Sequence, residues 1–455
     1  MQGKALKKIL LITHFLPPSH TAGTEQYTLG LGKSLQAKGH EVTILCAEDW
    51  NTGEKYWNGV TQEVYDGVPV YRVHLNWTKA ADSNRILYDS LPVEKWLDEL
   101  LSTVKFDIVH VISTYSLGVG VLRSVKRANI PLVLTLMDFW FLCPSLQLLR
   151  SDGNLCDGKT TPWQCQSCLM SRSRIFQKLH SISLPDSVNS QVWGTLSRIK
   201  QVTNQRGFRG LLLNMDERKK VMREVFSLPD IVIAPSVVVR DLINKNFSRS
   251  VLLLKYGHDL SWINEHGGKS KSDSVRIGYL GQILRIKGVH LLVDAFIKSN
   301  FGAKARLDIW GNHLADPAYT NELNSMIDNR ESICLRGKYD RKSLGAILAD
   351  IDVVVVPSIW YENAPLVIQE AFAAGKPVIT TNLGGMAEAV SHEVNGLLFE
   401  RNNTEDLSRQ LKRIVDEKGL LENLSDGLPP VKTFDDEIFE LDEVYSHLVN
   451  NKLQV

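Results

Sequence analysis

"WYENAPLVIQEAFAAGKPVIT", residues 360–380, reads as loop, helix, turn and strand in that order. Pro365 suits a first helical turn, where a missing N–H costs nothing and a fixed φ helps. "LVIQEAFAA" is made of helix formers, Gly375 is a left-handed stop, and "KPVIT" is a short buried strand. Glu362 is therefore expected on a loop at the positive end of a helix dipole, with Glu370 nearly two turns along that helix. A pair of carboxyls that cleaves a glycoside must lie within ~9.5 Å, whereas eight residues of continuous helix span roughly 12 Å. The pair is better suited to the two ends of one elongated, hydroxyl-rich ligand. Between them, the free N–H groups of the helix start offer a phosphate site. Sugar, diphosphate and ribose in that order describe a nucleotide sugar.

The same strand–helix rhythm runs through both halves of the chain. Strands are expected at 8–15, 40–47, 68–74, 107–112 and 130–136, with helices at 24–39 and 116–129. A second series places strands at 274–281, 305–311, 332–337, 351–358 and 376–381, with helices at 288–299 and 365–374. Each series predicts a parallel sheet covered on both faces. The fold class is thus α/β, with two Rossmann-like doubly wound domains facing a cleft. The expected boundaries are 1–262 for the first domain, 263–274 for a Gly-, Ser- and Lys-rich linker and 275–428 for the second domain. A tail at 429–455, helical and packed back on the first domain, completes the chain. Residues 143–226 break the rhythm and read as an inserted basic helical region. Within it, 171–225 carries eleven Lys or Arg against four Asp or Glu, interleaved with bulky apolar residues.

Composition narrows the function classes. A net charge of +1 gives no general reason to expect nucleic acid, and 44% hydrophobic with 23% charged residues is globular. No run of 18 apolar residues suggests a membrane span. The basic-then-apolar opening "MQGKALKKILLITHFLPP" is short for a leader, reaches His14 and Pro17, and reads better as a first strand. Six cysteines in 455 residues do not make a disulfide framework, which points to a cytoplasmic protein. "LGLGKS" (29–34) and "GVGVL" (118–122) fail the dinucleotide spacing, and no Walker A sequence occurs.

"ENAPLVIQEAFAAGKPVITTNLGG" resembles the E-x7-E signature of the retaining glycosyltransferases of family four, which have the glycosyltransferase B fold. "FLPPSHTAGTEQYTLGLGKSLQAKGHEVTIL", "FDIVHVI", "IPLVLTLMDFWFLCP", "YLGQILRIKGVHLLVDAF" and "IDVVVVPSIW" agree with it in order and spacing. The resemblance implies a metal-independent, retaining hexosyltransferase. It would move a monosaccharide from a nucleoside-diphosphate sugar to a glycan, lipid-linked or other hydroxyl acceptor, in cell-surface polysaccharide or glycoconjugate synthesis. It assigns Glu362 to the donor sugar and Glu370 to the ribose. It puts the backbone of Asn363, Ala364, Pro365 and Leu366 along sugar and phosphates, with Gly384 and Gly385 beside the nucleotide. Gly23 would face the diphosphate from the first domain.

Two positions depart from that family pattern. In "GQILRIKG", Lys287 matches the phosphate-binding lysine, but the preceding arginine position holds Gln282, leaving Arg285 as a substitute cation. In "TLMDFW", Met137 stands where the family has a histidine, ahead of Asp138, and a thioether gives no strong hydrogen bond. These departures motivate an alternative, a non-catalytic nucleotide-sugar-binding or partner subunit of the same fold. His110 reads either as a core histidine or as a ligand.

Cys143, Cys156, Cys165 and Cys168 fall within 26 residues and include a C-x2-C pair, so a structural zinc bracing the insert is expected without any part in the chemistry. Cys46 and Cys334 read as core. The basic insert suggests peripheral contact with an anionic membrane at its inner face, beside a solvated helical surface as the plainer reading.

Overall fold

β-branched runs alternating with amphipathic stretches give eight strands in the first part of the chain: β1 (Lys8–Ile12), β2 (Glu41–Ala47), β3 (Trp57–Tyr65), β4 (Val68–Leu75), β5 (Ile108–Val111), β6 (Leu132–Thr135), β7 (Ile231–Ala234) and β8 (Leu252–Leu253). A computed structural model describes residues 6–179, 185–265 and 272–452. The chain divides into two compact units, Met1–Lys255 with Phe434–Val455, and Tyr256–Thr433. Of the stretch expected as a linker, residues 266–271 lie outside the described residues.

The first unit holds one sheet in the order β3-β4-β2-β1-β5-β6-β7-β8. Every neighbouring pair is parallel except β3 with β4. That hairpin turns at Asp66 (φ 47°) and Gly67 (φ 83°), the Asp-Gly pair that a two-residue turn with two positive φ values favours. Sequence periodicity missed β3 because its largely exposed, polar run "WNGVTQEVY" carries no apolar face. The central strands β5 and β6 are buried throughout, as both-face coverage requires.

The helix Phe434–Lys452 belongs to this first unit. The Phe434 ring lies against Gly30, where an added Cβ would come 2.5 Å from Cε2. Tyr27 donates to Glu437 at 2.5 Å, and Tyr445 O–H meets His110 Nδ1 at 2.7 Å. The glycine of "LGLGKS" is thus a packing device between helices. Among the described residues five helices run between β6 and β7, from Pro162–Met170 to Met215–Phe226, around a satellite core of Trp163, Met170, Phe176, Trp193, Phe208 and Leu212.

The second unit contains β9 (Val275–Leu280), β10 (Ala305–Trp310), β11 (Ile333–Gly337), β12 (Val353–Val356), β13 (Val378–Thr381) and β14 (Gly396–Phe399). They form one parallel sheet in the order β11-β10-β9-β12-β13-β14. Arg276 on β9 is buried and paired with Asp350 at 2.7 Å and Asp352 at 3.0 Å, which closes the strands' amino ends. The strand order reverses between β9 and β12, and open α/β sheets take ligands outside the carboxyl ends of the strands at such a point. Among the described residues no helix is long and apolar enough to cross a membrane.

Candidate active site

The loops leaving β9 and β12 meet at that reversal. The first, Gly281–Gly288, ends in a short turn, Arg285–Lys287, and Gly288 at φ 72° opens the helix Val289–Ser299. A Cβ on Gly288 would stand 1.9 Å from the Pro357 carbonyl oxygen, so only glycine allows this loop to lie against the one after β12. Ile359 N–H donates to the Ile286 carbonyl at 2.9 Å and fastens the two loops.

This contact brings Lys287 Nζ to 2.7 Å from Glu362 Oε1. The same oxygen accepts from Ser358 Oγ at 2.7 Å and Trp360 Nε1 at 2.9 Å, and the Lys287 ammonium sits 5.3 Å from the Trp360 ring centre. Three donors on one oxygen fix the direction of this buried carboxyl group. None of the described hydrogen bonds engages Oε2. Glu362 is also tied through its backbone, whose carbonyl accepts from Gly385 N–H at 3.0 Å. A Cβ on Gly385 would fall 2.0 Å from the Asn363 carbonyl oxygen, so close backbone approach requires glycine there, while Gly384 is favoured as glycine by its φ of 56°.

Pro365 occupies the N-cap (φ −67°, ψ 116°) of the helix Leu366–Ala373, one position before the expected first turn, and no side chain caps that helix. Its first N–H groups therefore remain available to an anion. Glu370, on the helix, is buried and receives Arg341 Nη1 at 2.8 Å. Arg341 was not expected from the sequence, since it lies 29 positions before its partner in an unremarkable "YDRKS" loop.

The other expected cations and donors divide. Arg285 does not join Lys287: its guanidinium is paired with Glu322 and lies 4.9 Å from the Tyr319 ring centre. Gln282 is exposed, and its backbone carbonyl accepts from Tyr279 O–H at 2.7 Å. Burial, then the Glu362 carboxylate, pushes the Tyr279 phenol well above its usual range, so it remains a donor. Asn363, Ala364 and Leu366 are half-buried around the helix start.

A model described as "Glycosyl transferases group 1" matches residues 262–427, and one described as "Glycosyl transferase 4-like domain" matches residues 22–174. The chain belongs to the glycosyltransferase group 1 family. An uncharacterised glycosyltransferase of Methanocaldococcus jannaschii is 23% identical over 423 residues, 91% of this chain and 90% of that protein. Among solved structures, a sucrose-phosphate synthase from Thermosynechococcus elongatus superposes with a TM-score of 0.65 at 16% identity, covering 98% of this chain and 100% of that one. The Anabaena protein HepE in complex with UDP and glucose gives 0.63 at 15%, covering 97% and 99%. These structural likenesses show the glycosyltransferase B fold.

In the first unit of this glycosyltransferase, Gly23 is exposed and starts the helix Gly23–Ala37. Met137 and Asp138 are half-buried after β6, and burial raises the Asp138 carboxyl despite its hydrogen bond from Trp140 N–H. His110 is a satisfied core residue, bonded to Thr135 Oγ1 and Tyr445 O–H at 2.7 Å each; burial lowers it to about 3. Cys46 is core, as expected, but Cys334 on the edge strand β11 is only half-buried.

The four insert cysteines line one pocket of about 250 Å³. Their thiols do not close on a point: among the described residues no three His, Cys, Asp or Glu side chains are placed to hold a metal ion. The expected zinc therefore lacks a ligand set. Cys165 Sγ lies 2.7 Å from the Thr160 hydroxyl and Cys168 Sγ 3.9 Å from the Leu149 carbonyl, and burial raises both thiols.

Proposed function

We propose that this glycosyltransferase is retaining and moves a hexose from a nucleoside-diphosphate sugar to a hydroxyl of a glycan or lipid-linked acceptor, in cell-surface polysaccharide or glycoconjugate synthesis. The observation that carries the reading is the Lys287–Glu362 pair beside an uncapped helix start, with Glu370 on the same helix. Glu362 uses its open Oε2 for donor-sugar hydroxyls, because Oε1 is already taken. Lys287 and the amides of the helix start answer the negative charge that grows on the leaving diphosphate, so the charge is stabilised by groups held in place beforehand. Glu370 takes the ribose hydroxyls. In the transfer, the bond from C1 to the diphosphate oxygen breaks and a bond from C1 to the acceptor oxygen forms on the same face. The acceptor proton passes to the departing diphosphate. No step calls for a metal ion.

Thermal-shift titration with a panel of nucleoside diphosphates and their sugars, with and without EDTA, tests donor binding, since a ligand of the folded state stabilises it in proportion to occupancy. Release of free sugar from the donor then separates an enzyme from a binding subunit. Stabilisation by a nucleotide sugar without hydrolysis or transfer, under varied acceptors, would favour the subunit reading that Met137 and Gln282 motivate. Absence of any stabilisation would remove both.

A further inference from the structure

Three separate segments of the first unit bring the four insert cysteines to their common pocket. Cys143 follows β6 in a turn where its N–H donates to the Phe139 carbonyl at 2.7 Å. Cys156 ends a small hairpin in which Leu149 pairs with Leu155, the chain turns at Gly153 (φ 83°), and Cys156 N–H donates to the Leu148 carbonyl at 2.8 Å. Cys165 and Cys168 share one face of the helix Pro162–Met170, whose start is fixed by a capping box between Thr161 and Gln164. The sulfurs are near enough to act on one another, Cys165 with Cys143 and Cys156, and Cys168 with Cys143 and Cys165.

Cations surround them. Arg150 hydrogen-bonds the Cys156 sulfur, Lys219 acts on Cys165, and Arg172 acts on Cys168. Arg218 lies deepest, with only 2% of it exposed. Its Nη2 donates to the Trp140 carbonyl, and its Nε has no hydrogen-bond partner. Among the described residues no carboxylate forms an ion pair with it, and the acidic groups that act on it most are Cys143 and Cys165, ahead of Tyr88 and Asp138. A guanidinium keeps its charge, and a buried charge without a partner is strongly unfavourable. Neutral thiols do not offset it, whereas thiolates on a metal centre do.

A single zinc ion draws its sulfurs to ~2.3 Å from one point, and these thiols instead stand around a cavity of about 250 Å³. A polynuclear core takes one sulfur per metal and fills the space between them. We infer that Cys143, Cys156, Cys165 and Cys168 hold an iron–sulfur cluster of the four-iron, four-sulfide type, with Arg218 as its buried counter-charge. The site is independent of the donor reading. On assembly two ferrous and two ferric ions join four sulfides, each thiol loses its proton to solvent as its sulfur–iron bond forms, and no electron is transferred. The product is anionic, as the cations around it require. It fastens the turn after β6 and the 148–156 hairpin to the helix, so the insert's stability is coupled to the metal.

The test begins with the full native chain purified without oxygen. As isolated, or after reconstitution with ferrous iron, ferric iron and sulfide under argon, it should carry about four iron and four sulfide per chain and a broad visible absorption. Cys156→Ser and Cys165→Ser should each lose most of the iron, and Cys334→Ser, in the second unit, should keep it. Stripping the cluster with ferricyanide and EDTA should lower the melting temperature of the native chain and leave that of Cys165→Ser unmoved, since only a centre bound to the folded state stabilises it. Arg218→Met should lower the cluster's midpoint potential, because the reduced state is the more negative and loses a cation beside it; an unmoved potential would overturn the role given to Arg218. One firmly held zinc per chain that iron and sulfide do not replace would show the thiols closing on a single ion and would overturn the inference. So would a native chain without iron after reconstitution, or iron retained in both serine variants. The metal content of the native chain decides the matter even where a variant fails to fold.

Discussion

Arg341 Nη1 stands 2.8 Å from Glu370 Oε1, so the carboxylate proposed to hold the ribose already has a cation at its side. Glu370 is buried, and removing its partner would leave a charge without compensation. Arg341→Ala is expected to weaken nucleoside diphosphates about threefold to tenfold, less than Glu370→Ala, by isothermal titration. Tighter binding in Arg341→Ala would instead make Arg341 a competitor of the ribose.

Lys287 and Glu362 share one contact but have different tasks in the proposed chemistry. Lys287→Met should lower turnover by about 10²- to 10³-fold, the scale for losing one charge-stabilising group. Glu362→Gln should lower kcat far more than it lowers nucleotide affinity, because it touches the sugar and not the nucleotide. Steady-state transfer kinetics beside nucleotide titration make the comparison. Equal losses in both quantities for Glu362→Gln would contradict its assignment.

Gly288→Ala is expected to destabilise the second unit by well over ~1 kcal/mol, since it adds strain at positive φ to a collision with the Pro357 carbonyl. The melting temperature should fall, and nucleotide binding should fall with it, because the same loop carries Lys287. A melting temperature equal to the native protein's would show that the two loops do not meet as described.

Burial holds His110 at about 3 and His258 at about 4, both below the ordinary value of 6.5. Each is neutral when folded and takes up a proton when unfolded at mildly acidic pH. Their stabilising effect is therefore complete above pH 6.5 and drains away as pH falls toward about 4 and then about 3. Melting temperature should drop through this window. His110→Gln, which retains a hydrogen-bonding group, should flatten the acid side of the profile whatever it does at neutral pH; an unaltered slope would exclude His110 as a source.

Much of the molecule was legible in the chain because local chemistry is periodic. Buried parallel strands announce themselves as apolar runs, and Gly375 after "LVIQEAFAA" could be read as a left-handed stop, which it is at φ 71°. β3 was not legible, since an exposed edge strand has no apolar face to betray it. The resemblance supplied the roles of Glu362, Glu370 and Lys287, and the strand reversal at β9 and β12 explains why Lys287 and Glu362 meet.

Direction and partnership belonged to the tertiary structure. Sequence offered Lys287 as the phosphate-binding lysine and Arg285 as a substitute cation beside it, and packing sent Arg285 to Glu322 and Lys287 to Glu362. It offered four cysteines as one ligand set, and the fold gathered them around a pocket without closing them on a point. It gave no sign that Arg341 would reach Glu370. Hydrophobic spacing is written along a strand or helix and can be read there, whereas which charged tip meets which depends on loops brought together from far apart in the chain.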